Sequence, residues 1–540
     1  MPRSSVLVAV PLALVAGCAS PNDGPSSAAA PTTLAIVNAR VWTGDASRPA
    51  AEALAAAGDR IALVGSTADV KARAVDARVI DARGRLVVPG FIDTHVHFIE
   101  GGFRLASVQL RDAATREEFA RRIGAFAAGV PAGTWITGGD WDHELWGGEL
   151  PTRDWIDAVT PDHPVWINRL DGHMSLANSA ALRAAGVDER TAEIAGGAIV
   201  RGAGQRPTGI LKDNAMSLVD RVVPPPSEAM LDRALDAAMT YVAAQGVTTV
   251  HHMGGWTDLD TFTRARRADR LRTRIYAAVP LHDWERLRDR VAADGRGDDW
   301  LRIGLLKGFV DGSLGSKTAL FDHPYEGSAD DRGLALNPPG SLRTWIAGAD
   351  RASLQVAVHA IGDRANRELL DTYDAVAREH GARDRRFRIE HAQHLAPADI
   401  PRFATLGVMA SMQPYHAIDD GRWAERVIGR ERIKTTYAFR SLLDAGAGLA
   451  FGSDWHVAPP MPLMGIYAAV TRRTLDDATP EGWVPEQRIT VEEALRAYTA
   501  AGAWAGFDES NRGVLAAGRL ADIVIIDRDI RDVDPVLIRD

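Results

Sequence analysis

The sequence predicts an α/β fold, a (β/α)8 barrel of TIM type, on three observations. Short apolar, β-branched runs recur from residue 86 onward, segments of helical period separate them, and several of the runs end in a histidine, lysine or acid. Alternation of this kind argues for parallel βα units rather than a sandwich. The length of 540 residues would alone suggest three or four domains, but barrels of this class commonly exceed about 250 residues as one unit.

Taken in order, the chain opens with Arg3, an apolar run from Val6 to Val15, and Ala16-Gly17-Cys18. A basic start, a short apolar core and a small-residue cleavage site describe an export signal over 1–17, too short to span a membrane as a mature helix. Val15-Ala16-Gly17-Cys18 resembles the lipobox of bacterial lipoproteins, and Cys18 is the single cysteine of the chain. Lipidation of Cys18 is therefore expected, with the mature protein anchored to the bacterial cell envelope; no disulfide can form within the chain. Residues 18–33, rich in Ser, Ala and Pro, read as a flexible tether.

Leu34 to Val79 alternates like short strands, with turn signals at Gly44-Asp45 and Gly58-Asp59, and Ala521 to Asp527 reads as one more strand. Neither piece can bury a face alone, so 34–85 and 475–540 are expected to form one small β-sandwich beside the barrel. The barrel is assigned to 86–474, with strands at Leu86–Phe91, Val247–His252, Arg274–Pro280, Ile303–Val310, Leu354–His359, Phe387–His391, Val408–Met412 and Leu449–Ser453. Helices fit between them: Arg364–His380 has apolar residues at helical spacing and Gly381 after it, and Met230–Gln245 is closed by Gly246. The long interval after the first strand, about 100–245, reads as an insertion: a helix over Glu117–Ala128, then loops dense in Gly and Trp. The C-terminus, soon after Pro535-Val536-Leu537-Ile538, reads as shortened by a strand of the small sheet.

A net charge of -9 and the lack of any long basic run argue against a nucleic-acid partner. The sequence leaves a homodimer open. Positive charge is carried almost wholly by arginine, the lysines being Lys71, Lys212, Lys307, Lys317 and Lys434.

Chemistry gathers at the strand ends. His95-x-His97 places two imidazoles on one side of an extended strand. With 15 histidines, chance supplies about 0.4 such pairs, so the spacing needs context; ligands for one ion and two hydrogen-bonded histidines in a barrel mouth are both open. Lys307 lies inside the apolar run Leu305 to Val310, a costly place for an ammonium that is neither neutralised nor paired, for example with Asp311. His359, His391 and Asp454 end later strands, on the face where barrels of this kind carry their active sites. Taken alone, Asp454 also reads as a helix N-cap.

These residues, with Pro89 to Phe98, Asp171-Gly172-His173, Asn178-Ser179, Asp311 to Ser316, His359 to Asp363, Arg388 to Gln393 and Gly452 to Trp455, resemble the amidohydrolase superfamily. They are similar more narrowly to its YtcJ-like branch, the amidohydrolase-3 group that includes N-substituted formamide deformylases. The resemblance implies a metal-dependent hydrolase of a C–N bond in an amide, N-formyl or cyclic amide substrate. Its ligand set would be His95, His97, Lys307, His359, His391 and Asp454. Lys307, as a carbamate, would bridge two Zn2+ ions about 3.5 to 4 Å apart; without carboxylation the site would hold one metal. His95 and His97 would hold the first ion, His359 and His391 the second, and a metal-bound hydroxide would attack while Asp454 acts as general base and then general acid. His173 would reach the substrate carbonyl.

Trp141, with His143 and Trp146, reads as an apolar wall of the pocket or as plain packing. His252 is a pocket candidate; His251 and His416 have no assignment. Against the hydrolase stands a non-catalytic, small-molecule-binding lipoprotein on the same scaffold, which has no need of Asp454 beside an open metal position.

Overall fold

The computed structural model describes residues 31–539. The export signal and Cys18 lie outside the described residues. Among those described, no helix is long and apolar enough to cross a membrane.

Eight strands form the barrel: β1 (Phe91–Val96), β2 (Val247–Met253), β3 (Arg274–Pro280), β4 (Leu301–Phe309), β5 (Gln355–Ala360), β6 (Arg388–His391), β7 (Met409–Met412) and β8 (Gly448–Phe451). Each is parallel to the next, from β1 through β8. The chain just past β8 closes the circle on β1. Asp454 N donates to His95 O at 2.7 Å, and His97 N donates to Trp455 O at 2.5 Å. Buried Asp93 on β1 reinforces this seam by accepting from Ser453 N at 2.8 Å and Ser453 Oγ at 2.5 Å.

The first barrel strand is not Leu86–Phe91. Leu86–Pro89 instead pairs antiparallel with Ile523–Ile526 and parallel with Arg40–Trp42, and β1 starts only at Phe91. Pro89 lacks the N–H that a central strand must donate. At Gly90 a Cβ would stand 2.3 Å from Thr248 Oγ1, so glycine lets the chain cross from one sheet to the other against β2. Every residue from Leu86 to Val96 is buried, so the apolar run serves two sheets in succession.

The small domain is a sandwich of two four-stranded sheets. One has the order Arg60–Gly65, Ala53–Ala57, Leu34–Val37, Arg78–Asp81; the other runs Ile523–Ile526, Leu86–Pro89, Arg40–Trp42, Ala50–Ala51. Ile36, Val41, Leu54 and Val87 share its core. The C-terminal contribution is narrower than 475–540. Helices Val491–Ala497 and Ala500–Ala505 belong to the barrel: Tyr498 packs edge-on against Phe91 and Phe451, and its carbonyl accepts from Ile92 N at 2.7 Å.

The insertion is a folded layer rather than loops. It carries a six-stranded sheet in the order Gly197–Arg201, Pro207–Asp213, Met174–Ala177, Val165–Arg169, Ile136–Trp141, Val108–Gln109. Helix Arg116–Ala127 covers one face with Phe119, which meets Trp141 and Ile167; Trp166 and Leu211 face the opposite side. That in-out alternation is present in the sequence, but Gly138 and Gly139, at φ of 91° and 101°, break the pattern of a strand.

Helix Phe98–Arg104 begins directly after His97 and packs on helix Glu228–Ala244, which leads into β2. The contact is backbone to backbone: a Cβ on Gly102 would stand 2.1 Å from the Ala234 carbonyl oxygen. Gly102→Ala should therefore force the two helices apart and cost about 1–3 kcal/mol. The check is thermal unfolding of the variant, where an unchanged midpoint would contradict the packing described.

Candidate metal centre

The seam between β8 and β1 sets the first half of the site. Asp454, held at φ 60° past the end of β8, turns Oδ1 to within 3.4 Å of His95 Nε2 and 3.2 Å of His97 Nε2. That oxygen is buried and has no hydrogen-bond donor. A buried carboxylate oxygen is costly when unpaired, and two imidazoles facing it across one small space make a three-ligand set for a divalent cation. Burial opposes ionisation of Asp454, but His95, His391 and His97 outweigh it and hold the carboxyl well below the ordinary carboxylate range.

The remaining hydrogen bonds select which ring nitrogen each histidine offers. His95 Nδ1 is 2.6 Å from Glu390 Oε2, and the other Glu390 oxygen accepts from Arg388 Nε at 2.7 Å. Arg388 is fully buried and also donates to Thr94 O at 2.6 Å. This chain of contacts leaves His95 Nε2 toward the site. His391 Nδ1 meets Gln413 Oε1 at 2.8 Å, which frees Nε2; His359 Nε2 meets Gly312 O at 3.0 Å, which frees Nδ1. Such bonds fix tautomer and ring orientation together. Burial lowers the pKa of His359 and His391 well below the usual value and, with the Lys307 charge, that of His95 to about 4. The neutral imidazole that this favours is the form able to bind a metal.

Lys307 on β4 reaches the same space, with Nζ 3.2 Å from His95 Nε2. The pairing with Asp311 weighed from the sequence does not occur, because Asp311 accepts instead from the amides of Leu320 (2.7 Å), Ile361 (3.0 Å) and Gly362 (2.9 Å). Burial pushes the Lys307 ammonium down to about 8, so the neutral amine is accessible. The ring centroids of His95 and His391 are 4.9 Å apart, and those of His391 and His359 4.5 Å. All six residues named as ligands line one cavity of about 340 Å³.

The insertion closes the opposite wall. His173 lies 4.9 Å from the His359 ring, and its Nδ1 is 2.6 Å from Asp213 Oδ1. Burial works against its charge, yet the bond to Asp213 raises its pKa on balance. Arg169 bridges Asp171 at 2.8 Å and Asp142 at 3.2 Å beside it.

Two expected substrate contacts are corrected. Trp141 is fully buried in the insertion's core, with Nε1 donating to Ile167 O at 3.0 Å; its apolar bulk is consumed by packing on Phe119. His252 accepts from Phe98 N at 3.0 Å through Nδ1 and faces Asp258 at 3.2 Å through Nε2, so both nitrogens serve the helix ends around it. Neither residue lines the cavity.

Two residues that do line it went unassigned or unnoticed. His456 lies between Asp140 (3.1 Å) and Glu100 (3.4 Å), which push its pKa up to about 9 against the effect of burial. His416, just past β7, faces the His391 ring at 6.4 Å. Its position after a strand end was the one available signal.

The chain is similar to known proteins along most of its length. The model of the amidohydrolase family matches residues 78–540. The chain is 42% identical over 507 residues to Protein LONG AFTER FAR-RED 3 of Arabidopsis thaliana, covering 91% of this chain and 87% of the relative. It is 31% identical over 519 residues to an N-substituted formamide deformylase of Arthrobacter pascens, covering 92% and 93%. Among solved structures, an uncharacterized metal-dependent hydrolase from Pyrococcus horikoshii OT3 superposes with a TM-score of 0.75 at 26% identity, covering 93% of this chain and 99% of that one.

The Glu390 contact generates a prediction. Glu390→Gln keeps the shape but removes the charge that orients His95, and should weaken zinc binding by about 10- to 100-fold. Competition with a chromophoric chelator measures this; an unaltered affinity would show that Glu390 does not act through His95.

Proposed function

The chain belongs to the amidohydrolase family, and within it we propose a zinc-dependent hydrolase of carbon–nitrogen bonds, with N-formyl amines, N-acyl amines or cyclic amides as substrates. The single observation that supports it most is the unpartnered, buried Oδ1 of Asp454 facing His95 and His97. Metal dependence fits these donors, since imidazole and carboxylate ligands suit Zn2+. A bound divalent ion supplies the positive charge that polarises a carbonyl and acidifies water.

The chain's own residues then handle protons and orientation. Asp454 takes the proton of the attacking water and passes it to the leaving nitrogen, so that amide and water become a carboxylate and a protonated amine. The Asp213 carboxylate accepts from His173 Nδ1–H and favours the protonated ring, whose Nε2–H can then donate to the substrate carbonyl oxygen as that oxygen gains charge. Lys307 takes up CO2 as a carbamate in this reading, with His359 and His391 beside it, which converts a buried cation without a carboxylate partner into a metal-binding anion. The likeness to an N-substituted formamide deformylase supports the N-formyl class. On the sequence grounds given above, a lipidated Cys18 ties the enzyme to the cell envelope.

Zinc-loaded protein should hydrolyse members of a panel of N-formyl and N-acyl amines, with Asp454→Asn lowering kcat by on the order of 10³ and chelation abolishing turnover. Absence of any hydrolysis at full metal content, or an unaffected Asp454→Asn, would overturn the assignment. Separately, Cys18→Ser in the full chain, expressed in a lipoprotein-processing bacterium, should move the protein from the membrane to the soluble fraction.

A further inference from the structure

The segment from Lys71 to Arg85 differs in charge from the rest of the chain. It holds five cations, Lys71, Arg73, Arg78, Arg83 and Arg85, against Asp76 and Asp81, while the whole chain carries a net charge of -9. All five are exposed, and among the described residues none of them forms an ion pair. Exposed arginines on the barrel helices are paired, Arg364 with Glu368 at 2.7 Å and Arg378 with Asp374 at 2.6 Å. Two apolar side chains stand among the unpaired cations: Val75 is 84% and Val79 51% exposed, the highest values for large hydrophobic residues among those described. The small sandwich brings these residues to one edge. Helix Thr67–Arg73 covers the outer face of the first sheet, with Val70 and Ala74 against Ala35 and Val37. Arg78–Asp81 is the edge strand of that sheet, with Val79 in register with Ala35, so Val79 points to the helix side. The chain enters the described structure at the same edge, where Thr33 O accepts from Arg78 N at 3.0 Å. Cys18 stands thirteen positions before Pro31, a distance that extended chain spans in at most about 45 Å.

We propose that this edge of the small sandwich docks on an anionic phospholipid bilayer, with Lys71 and the four arginines meeting lipid phosphates and Val75 and Val79 entering the headgroup layer. Cations without partners meet a negative surface without giving up an existing pair, and the apolar side chains among them add area buried at the boundary. Charge also sets the orientation. An anionic surface repels the remainder of an acidic protein, so this edge is the one that approaches. A lipid on Cys18 keeps the protein at the membrane, and the edge decides which side of it faces the bilayer. The inference rests on the envelope anchor proposed above and is independent of the reaction assigned to the barrel.

The test uses the full chain with Cys18→Ser, which carries no lipid, and measures its partition onto vesicles by flotation. At low ionic strength it should bind equimolar phosphatidylglycerol and phosphatidylcholine at least about tenfold more tightly than phosphatidylcholine alone, and about 0.5 M NaCl should remove that preference. The apolar run Val6 to Val15, where retained, adds to binding on both vesicles alike, so their ratio reads the docking edge. Arg73→Ser with Arg78→Ser and Arg83→Ser should abolish the preference, and Val75→Ser with Val79→Ser should weaken binding to the anionic vesicles by about threefold. Arg351→Ser with Arg364→Ser and Arg378→Ser, an equal loss of charge from the barrel helices, should leave the preference intact. The proposal is overturned if the Cys18→Ser chain shows no preference for the anionic vesicles, if the Arg73, Arg78 and Arg83 variant keeps it, or if sedimentation shows this edge pairing with a second copy instead. Because the chain tested has no lipid, failure here is distinct from failure of the anchor, which the fractionation of cells reads.

Discussion

The structure depends on one junction, the pair of backbone hydrogen bonds that stitch residues 454–455 to β1. Asp454 N to His95 O and His97 N to Trp455 O close the barrel. The same two bonds set the registry between one ligand strand and the carboxylate that faces it. Closing the sheet and building the site are therefore one event. Asp93 makes the junction specific, because a carboxylate at that position takes both the amide and the hydroxyl of Ser453, and the turn that follows presents Asp454 with its side chain inward.

Around this junction the protein holds the histidines of the cavity by a layer of buried polar contacts. Arg388, Glu390 and His95 form a line across the barrel interior, and Gln413 and the Gly312 carbonyl do the same service for His391 and His359. Each contact consumes one nitrogen and leaves the other, so the site's geometry is fixed without a metal having to impose it. The arginine is tolerated in the core because its donors meet Glu390, Thr94 O, Ser411 and His251 Nδ1.

Much of the centre could be read from the sequence because ligands at strand ends leave a linear mark: a short apolar run, then a histidine or acid. His95, His97, His359, His391 and Asp454 carry that mark, Lys307 stands out instead as a rare lysine inside an apolar run, and all six reach one cavity. Trp141 and His252 failed for a physical reason. A tryptophan in a glycine-rich stretch and a histidine at a strand end look the same whether their polar atoms face a pocket or a neighbouring backbone, and only tertiary contacts decide. The insertion's sheet was hidden by short strands and by glycines at positive φ. The first strand was misplaced because Leu86 to Val96 is continuously apolar and carries no sign of where one sheet ends and the next begins, apart from Pro89-Gly90.

That shared segment has a consequence for how the molecule comes into being. Leu86–Pro89 is clamped by Ile523–Ile526, so the strand that carries the first histidine is braced by residues more than four hundred positions downstream. Contacts of such separation are slow to form. The pocket at the barrel mouth is then complete only once the C-terminal strand has docked, late in folding.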